Sequence, residues 1–478
     1  MRPRFFEITP HENLFGCDFP PERPPVERIR LHIARELQRN PTIDLIILAD
    51  ELSDYQFATD QNGEPLSSRP QAELPGFNVI RCWKFNELGT PVRLLRTIRK
   101  LKPDVVWFNL VFSTFATQER PVAAFAGLWA PALARALGFR THVTLHHIIE
   151  HVDFASAGVR QERLFRFGSD LATRVLLMAH SVSVLLSGYQ RTLIEKYSAQ
   201  NVLLGTHGVF EPRPIPPDFS LRGNPDQRIL AIGHWGTYKR LETLMAGFPR
   251  VLREVPEARL IVAGANHHTK PGYWERIREQ QRGNPRIEFR GYVAEEDIPE
   301  LYRTTSIVVM PYDSATGSSG PAHQACEYGV PIVCADLEDF RRMAVDEDMA
   351  ISFYKAGDPE DLADKLVAIL RSPEQQRQLA HHNFSAAMRM TMPSVVRHYL
   401  RWFELSRHRQ TMSGFVKFPL LQSRRSLRNA ASIRPSWSWT LHPSEVDDES
   451  PRNSTESSPV AGDHDLADTP NSDLTGSE

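Results

Sequence analysis

Short runs of β-branched and aliphatic residues alternate with helical segments along most of the chain, and this alternation is the strongest constraint on its fold. In the first 210 residues the strand-like runs are 44–49, 104–108, 141–145, 181–186 and 201–204. Between them, segments 26–39 and 93–101 repeat apolar residues with the 3.6-residue period of a helix. Apolar strands separated by helices are typical of a parallel sheet covered on both faces.

The alternation stops at a proline-rich stretch and then begins again. Residues 211–218 contain four prolines, which cannot join a central strand. Strand-like runs return at 228–232, 259–263, 286–290, 306–310, 331–335 and 350–353. We therefore predict an α/β fold of two similar Rossmann-like lobes, at 1–210 and 227–372, joined by a stiff linker at 211–226 and facing a cleft.

The end of the chain is expected to be helical and then disordered. A helix is predicted to begin at Asp358, because an N-cap carboxylate is followed by a proline and two acids. Residues 373–409 are predicted to form helices that pack back toward the first lobe. The segment 410–478 is basic and aromatic, then acidic and serine-rich, and is predicted to be disordered. Its first part, 410–440, either makes a weak contact with an anionic membrane surface or folds onto the protein itself.

Composition excludes several classes of function. A chain of 478 residues is long enough for two domains, and its net charge of −2 provides no basic field for nucleic acid. The four cysteines, at 17, 82, 326 and 334, lack the spacing of a metal site. The N-terminus has no apolar stretch of signal-peptide length, and the most apolar helical segment, 122–139, is short for a bilayer and contains Arg135. We therefore expect a cytoplasmic protein, either free or at the inner face of the membrane.

Two glycine-bearing turns follow strand-like runs in the second half. Residues 233–240 read Gly-His-Trp-Gly-Thr-Tyr-Lys-Arg, and residues 316–321 read Thr-Gly-Ser-Ser-Gly-Pro before a helix. Open parallel sheets bind ligands at the carboxyl ends of their strands, and glycine lets backbone amides approach a phosphate closely. We predict a diphosphate site, and hence a nucleotide-linked substrate, formed by Lys239, Gly317, Ser318, Ser319 and Gly320. The alternative is that these are ordinary turn residues and a solvated lysine.

A second group of candidates follows strands of the first half. The run 141–145 is followed by His146 and His147, and Asn109 follows the run 104–108. Successive strand residues point to opposite faces, so only one of the two histidines can face the cleft. The alternative is a packed imidazole that hydrogen-bonds to backbone.

These residues together resemble the family 4 retaining glycosyltransferases, which have the GT-B fold and are described as glycosyl transferases group 1. The resemblance covers the general layout and is specific mainly over 229–333. Gly233 and Lys239 match the family pattern G-R-x-x-x-(x)-K, with His234 in the place of the arginine. The segment 289–302 is similar to the family sequence F-x-G-Y-V-x-x-x-x-L-x-x-L-Y. The two family glutamates fall on Thr316 and Gln324, followed by the retained residues Ala325, Gly329 and Pro331.

The resemblance implies transfer of a sugar from a nucleotide-diphospho-sugar to an acceptor hydroxyl, with retention of configuration. The nucleotide-sugar is a co-substrate, and neither a metal nor another cofactor is expected. In the family a histidine at the end of this strand lies near the reacting sugar, and His146 matches it best. The implied donor-binding residues are Gly233, His234, Lys239, Tyr292, Val293, Gly317, Ser318, Ser319, Gly320 and Gln324. Lys239 and His146 are the implied catalytic residues, and His146 and Asn109 are on the acceptor side.

Carbohydrate, lipid-linked and small-molecule acceptors all remain open, and two rival functions are consistent with the same lobes. One is a nucleotide-sugar epimerase or a phosphorylase. The other is a binding or scaffold protein without activity, because both family carboxylates are absent at Thr316 and Gln324.

Overall fold

The computed structural model describes residues 4–8, 25–51, 76–117, 120–151, 162–211, 213–219, 227–267, 270–314 and 317–415. Within these ranges the strands form two separate sheets, and every pairing between neighbouring strands is parallel. The chain up to Met412 forms one compact unit, and Ser413–Glu478 form a second, described only at 413–415.

The first sheet has seven strands, in the order β3-β2-β1-β4-β5-β6-β7. They are β1 Arg4–Ile8, β2 Asp44–Asp50, β3 Asn78–Trp83, β4 Val105–Leu110, β5 Thr141–Leu145, β6 Ser181–Val184 and β7 Val202–Leu204. Its helices are α1 Pro25–Arg39, α2 Thr90–Leu101, α3 Pro121–Leu128, α4 Ala130–Ala136, α5 Glu162–Leu176 and α6 Ser187–Tyr197. The strand order reverses between β1 and β4, which is where an open sheet of this type leaves a crevice.

The second sheet has six strands, in the order β10-β9-β8-β11-β12-β13. They are β8 Arg228–Trp235, β9 Arg259–Asn266, β10 Ile287–Gly291, β11 Ile307–Met310, β12 Ile332–Ala335 and β13 Ile351–Tyr354. Its helices are α7 Glu242–Glu254, α8 Tyr273–Gln280, α9 Ile298–Arg303, α10 Gly320–Glu327, α11 Glu338–Asp346 and α12 Pro359–Leu370. The predicted fold class, two Rossmann-like lobes with parallel sheets, is confirmed.

The sequence predicted neither β1 nor β3, and for β3 the reason is its place in the sheet. It is an edge strand, and only Trp83 among its six residues is buried. Its polar residues interrupt the continuous apolar run by which central strands are recognised. The predicted start of α12 is correct, because the side chain of Asp358 accepts hydrogen bonds from the amides of Glu360 and Asp361.

Two helices follow α12, and they belong to different lobes. α13 Pro373–Arg389 packs against α10 and α12 of the second lobe, contrary to the expectation that it packs toward the first. α14 Met392–Phe415 does cross to the first lobe. There the ring centroids of Tyr399 and of Trp107 on β4 are 4.6 Å apart. Because α14 runs to Phe415, the helix continues past the predicted start of the tail at 410. The rest of the predicted tail lies outside the described residues.

The described cysteines are all free thiols. Cys326 and Cys334 are buried, and Cys82 is half-buried. Cys17 lies outside the described ranges. No helix in the described part of the chain combines the length and the apolar character needed to span a bilayer.

His142 of β5 makes the stability of the first lobe depend on pH. Its ring is 1% exposed, with Nδ1 2.8 Å from Ser181 Oγ and Nε2 3.1 Å from Ser183 Oγ. Burial lowers the pKa of His142 to about 3. In the unfolded chain the pKa of this histidine is about 6.5. Below that pH the unfolded chain takes up a proton that the folded protein does not, so the unfolding free energy falls as the pH falls.

We therefore expect His142 to contribute a loss of about 2 kcal/mol in unfolding free energy when the pH falls from 7 to 5. The measurement is urea unfolding of the wild type and of His142→Gln at both pH values. Gln can still hydrogen-bond to the serines and does not titrate in this range. The difference between the two proteins isolates His142 from the other buried histidines, and equal losses would contradict the prediction.

Candidate functional site

The turns after β8 and β11 meet at the carboxyl edge of the second sheet. β8 and β11 are neighbours at the point where the strand order reverses. Lys239 pairs with Tyr312 in an antiparallel bridge, and the amide of Asp313 donates to the carbonyl of Tyr238 at 2.8 Å. Two segments about 70 residues apart in sequence are thus joined at the position where sheets of this type bind ligands.

The ammonium of Lys239 lies beside two aromatic rings at this junction. Its Nζ lies 5.1 Å from the ring centroid of Tyr312 and 5.9 Å from that of Tyr238. Burial by itself lowers the pKa of Lys239, but the neighbouring phenols of Tyr312 and Tyr238 more than reverse this effect, and the net shift is upward. The raised pKa favours the charged form of Lys239, and a charge that is partly withdrawn from water attracts an anion more strongly than one in solvent.

Gly233 and His234 lie in β8 and not in the turn, which corrects the sequence interpretation. They pair with Gly264 and Ala265 of β9, and the chain leaves the strand at Gly236. Gly233 is nevertheless part of the same site, because a Cβ added to it would lie 3.5 Å from Lys239 Cδ. The missing side chain leaves this surface open beside the ammonium.

The Gly317–Gly320 turn touches the first lobe. Gly317 has φ +84°, and a Cβ at this residue would lie 2.5 Å from the carbonyl oxygen of His146. Its amide donates to Asp339 Oδ2 at 3.0 Å, so it is already used within the protein. Ser319 and Gly320 are buried at the start of α10, where amides point outward from a helix N-terminus. Three amides of the predicted four, those of Ser318, Ser319 and Gly320, are the remaining candidates for an anion.

Asp339 is a site residue that the sequence did not reveal. Besides the Gly317 amide, it accepts the hydroxyl of Tyr189 at 2.6 Å, and its Oδ1 lies 3.5 Å from His151 Nδ1. The hydrogen bond from His151 to Asp339 raises the pKa of that imidazole. In the sequence Asp339 resembles a first-turn acid of α11, which ordinarily faces solvent. Two of its partners, Tyr189 and His151, come from the other lobe, so no local pattern could identify them.

His146 and Asn109 come together at the ends of β5 and β4. The Nε2 of His146 is hydrogen-bonded to Asn109 Oδ1, so Nε2 carries the proton and Nδ1 has the free lone pair. Burial, together with the positive charge of Arg30 on α1, holds the pKa of His146 well below its usual range. His146 is therefore neutral at pH 7. Arg30, which is 3% exposed, was not among the predicted residues.

The remaining donor-side candidates extend across the second sheet. Gln324 is buried on α10, and its Oε1 accepts the hydroxyl of Tyr302 at 3.2 Å. Tyr292 and Val293 follow β10, which is two strands from β8, or about 10 Å. Tyr292 is 45% exposed. Thr316 lies outside the described residues.

A cavity of about 270 Å³ lies between the lobes beside Gln324. It is lined by α1, the linker and the second lobe through residues that include His32, Arg35, Phe210, Glu295, Gln324 and Tyr328. A wider hollow of about 450 Å³ lies on α13 and contains none of the predicted residues. The interlobe cavity is the more relevant of the two because it opens at a predicted donor residue.

The family model described as "Glycosyl transferases group 1" matches residues 226–372. A phosphatidyl-myo-inositol mannosyltransferase of Mycobacterium leprae is 26% identical over 210 residues, which are 42% of this chain and 54% of that protein. A mannosylfructose-phosphate synthase of Agrobacterium fabrum is 32% identical over 88 residues, 17% of this chain and 19% of that protein. The chain thus matches about half of the first relative and a fifth of the second.

Solved structures share the fold at low sequence identity. Sucrose-phosphate synthase from Thermosynechococcus elongatus gives a TM-score of 0.61 at 16% identity, covering 86% of this chain and 100% of that one. HepE of Anabaena in complex with UDP-glucose gives 0.59 at 14% identity, covering 84% of this chain and 99% of that one. The two-lobed architecture is therefore that of GT-B glycosyltransferases.

Proposed function

We propose that this protein transfers a hexosyl group from a nucleotide-diphospho-sugar to an acceptor hydroxyl, with retention of anomeric configuration. The observation that carries the proposal is the junction of the segments after β8 and β11, where Lys239 pairs with Tyr312 and Ser319, seven residues after Tyr312, is the N-cap of α10. The family model, which matches 226–372, supports it independently. Glycan or glycoconjugate biosynthesis is the context in which such a reaction is expected.

The proposed donor lies along the carboxyl edge of the second sheet. The diphosphate receives the charge of Lys239 and the amides of Ser318, Ser319 and Gly320, which can stabilise the departing phosphate in the transition state. Gln324 is placed to hydrogen-bond a ribose hydroxyl, and Tyr292 and Val293 are assigned to the base. UDP is the first nucleotide to test, since HepE is a neighbour with bound UDP-glucose.

His146 and Asn109 form the proposed acceptor side. A neutral imidazole whose Nε2 is held by Asn109 can accept a hydrogen bond at Nδ1 but cannot hold a positive charge at neutral pH. We therefore assign His146 to positioning the acceptor or the sugar, with the acceptor proton passing to the donor phosphate. Carbohydrate, lipid-linked and small-molecule acceptors remain candidates, and the cytoplasmic location remains a prediction.

A protein that binds a nucleotide-sugar without transferring it is the second candidate. Two observations favour it: Gln324 offers a neutral amide where the family has a carboxylate, and Asp339 already binds the amide of Gly317. A neutral acceptor forms a weaker hydrogen bond to ribose than a carboxylate does. Binding without turnover would therefore select this candidate.

A thermal-shift panel tests the donor proposal directly. UDP, GDP, ADP and their hexose conjugates are each added to the full chain, and the melting temperature is recorded. One nucleotide is expected to stabilise the protein by about 2.7 kcal/mol at 100 times its dissociation constant, whereas the others do less. The corresponding nucleoside is the control, because it lacks the diphosphate. An equal effect of nucleoside and diphosphate, or no effect at all, would refute the proposed site.

A further inference from the structure

We propose that His323 is a positioning residue. Through Glu347 and His207 it ties the Gly317–Gly320 turn to the segment that follows β7 in the first lobe, so that the turn and the interlobe contact are formed together. The ligand assigned to this turn rests on the function proposed above. The contact from His323 through Glu347 to His207 does not depend on that function. His323 lies on α10 one residue before Gln324, and the motifs recognised in the sequence do not include it.

The geometry forms a continuous chain of contacts across the lobes. His323 Nδ1 donates to the carbonyl of Ser319 at 2.7 Å, and its Nε2 lies 2.8 Å from Glu347 Oε2. The other carboxylate oxygen, Oε1, accepts the backbone amide of His207 at 3.4 Å. The rings of His207 and His323 are also in contact, with their centroids 4.3 Å apart.

The position of Ser319 makes this chain relevant to ligand binding. Ser319 is the N-cap of α10, and its amide is one of the three candidate anion donors. Its carbonyl is fixed by His323 from inside the same helix turn. A displacement of His323 would therefore displace the backbone of Ser319, which carries one of the candidate amide donors. Misplacing a binding group by about 1 Å is enough to lower a reaction rate substantially.

Charge favours this link, whose side chains are buried. His323 is fully buried, and the side chain of Glu347 is 5% exposed. Burial lowers the pKa of His323, but Glu347, the Ser319 carbonyl and Glu327 reverse this, and the net shift is upward. His207 lies against the ring of His323, and burial, together with the nearby His323, lowers the pKa of His207 to about 3. His207 is therefore neutral. The raised pKa favours the charged form of His323 beside the Glu347 side chain.

The sign of the pH dependence follows from that raised pKa. Stabilisation by His323 is complete below the ordinary imidazole value of about 6.5 and is lost as the pH rises through the higher folded value. Deprotonation leaves a carboxylate facing an uncharged ring, which removes the ion pair between α10 and Glu347. Lys239 does not confound this range, because its pKa is shifted upward from that of an ordinary lysine.

The test compares the wild type with the double variant His323→Gln/Glu347→Gln in the full chain. Removing one charge alone would leave the other buried without a partner, which can prevent folding, whereas the double variant stays neutral and can hydrogen-bond. UDP affinity is measured by calorimetry at pH 7 and pH 9. Its phosphate is already ionised over this range, since the second pKa of a phosphate is about 6.

The wild type is expected to bind UDP about tenfold more weakly at pH 9 than at pH 7, and the double variant to change less than about twofold. Ser187→Ala is the matched control. It weakens another link between the lobes, the 2.7 Å hydrogen bonds from Ser187 to Asp346, and removes no titrating group. It should keep the wild-type pH dependence. A double variant with the wild-type dependence would overturn the proposal.

Hydrogen exchange at the same two pH values separates this proposal from the proposed function. After correction for intrinsic rates, the backbone of 317–324 in the protein without ligand should lose protection between pH 7 and pH 9 in the wild type only. Loss of protection without UDP binding at either pH would support the link and refute the nucleotide site. Equal exchange in both proteins would overturn the link even if UDP binds.

Discussion

Replacing Lys239 with methionine is expected to lower kcat for sugar transfer by about 10²- to 10³-fold, the cost of removing one preorganised donor to a developing negative charge. Methionine keeps the length of the side chain and fills the space between Tyr238 and Tyr312, so the change removes the charge and little packing. Initial rates with the nucleotide-sugar identified by the thermal-shift panel provide the measurement.

Arg240→Gln is the matched control for Lys239. Arg240 is the next residue, is exposed, and pairs with Glu242 at the protein surface, with 3.2 Å between Arg240 Nη2 and Glu242 Oε1. Loss of this exposed pair should leave turnover within about twofold of the wild type, because such pairs contribute about 0 to 1 kcal/mol. Unchanged turnover in Lys239→Met would contradict the assignment of the leaving-group site.

Replacing Gly317 with alanine is expected to lower turnover by about 10²-fold, because it displaces the proposed anion-binding turn from the first lobe. Alanine at φ +84° is strained by about 1 to 2 kcal/mol, and its Cβ would lie 2.5 Å from the carbonyl oxygen of His146. That oxygen belongs to backbone and cannot rotate away. The variant must therefore either move the turn or separate the lobes, and the Asp339 contact to the Gly317 amide weakens with it.

Gly357→Ala separates backbone strain from the clash. Gly357 has φ +77°, a similar left-handed conformation, but nothing lies within 4 Å of an added Cβ. The Gly357→Ala variant should lose about 1 to 2 kcal/mol of unfolding free energy, as Gly317→Ala does, and should keep the turnover of the wild type. The measurements are unfolding free energy and initial rate for both variants. Similar rates in the two variants would show that the contact between Gly317 and His146 does not matter for activity.

The two predictions also separate the rival functions. A transferase should lose turnover in both variants, whereas a protein that only binds a nucleotide-sugar should lose affinity in Lys239→Met without any turnover in the wild type. An epimerase would isomerise the donor without an acceptor, and a phosphorylase would require phosphate. Product analysis of the wild type, with and without acceptor, distinguishes these outcomes.

The sequence by itself determined most of the strands and the fold class. β5 has the predicted bounds, Thr141–Leu145, and β2 differs from the predicted run by one residue, because continuous apolar runs and turn residues are local signals. Lys239 and the Gly317–Gly320 turn were also proposed from local signals, since each follows a strand, whereas Gly233 lies within β8. Edge strand β3 was missed because its exposed polar residues conceal the pattern.

Only the tertiary structure decided which residues of the two lobes meet. Tyr189 and Asp339 are 150 residues apart, and Ser187 and Asp346 are 159 apart. Asp339 resembles a solvated helix-start acid in the sequence, and it becomes a buried acceptor only when Tyr189 and His151 close over it. His323 is similar, because its charge depends on Glu347, and a residue's protonation is set by the groups that surround it in space. Periodicity reports the environment along one element, whereas these contacts arise where two separately folded sheets come together.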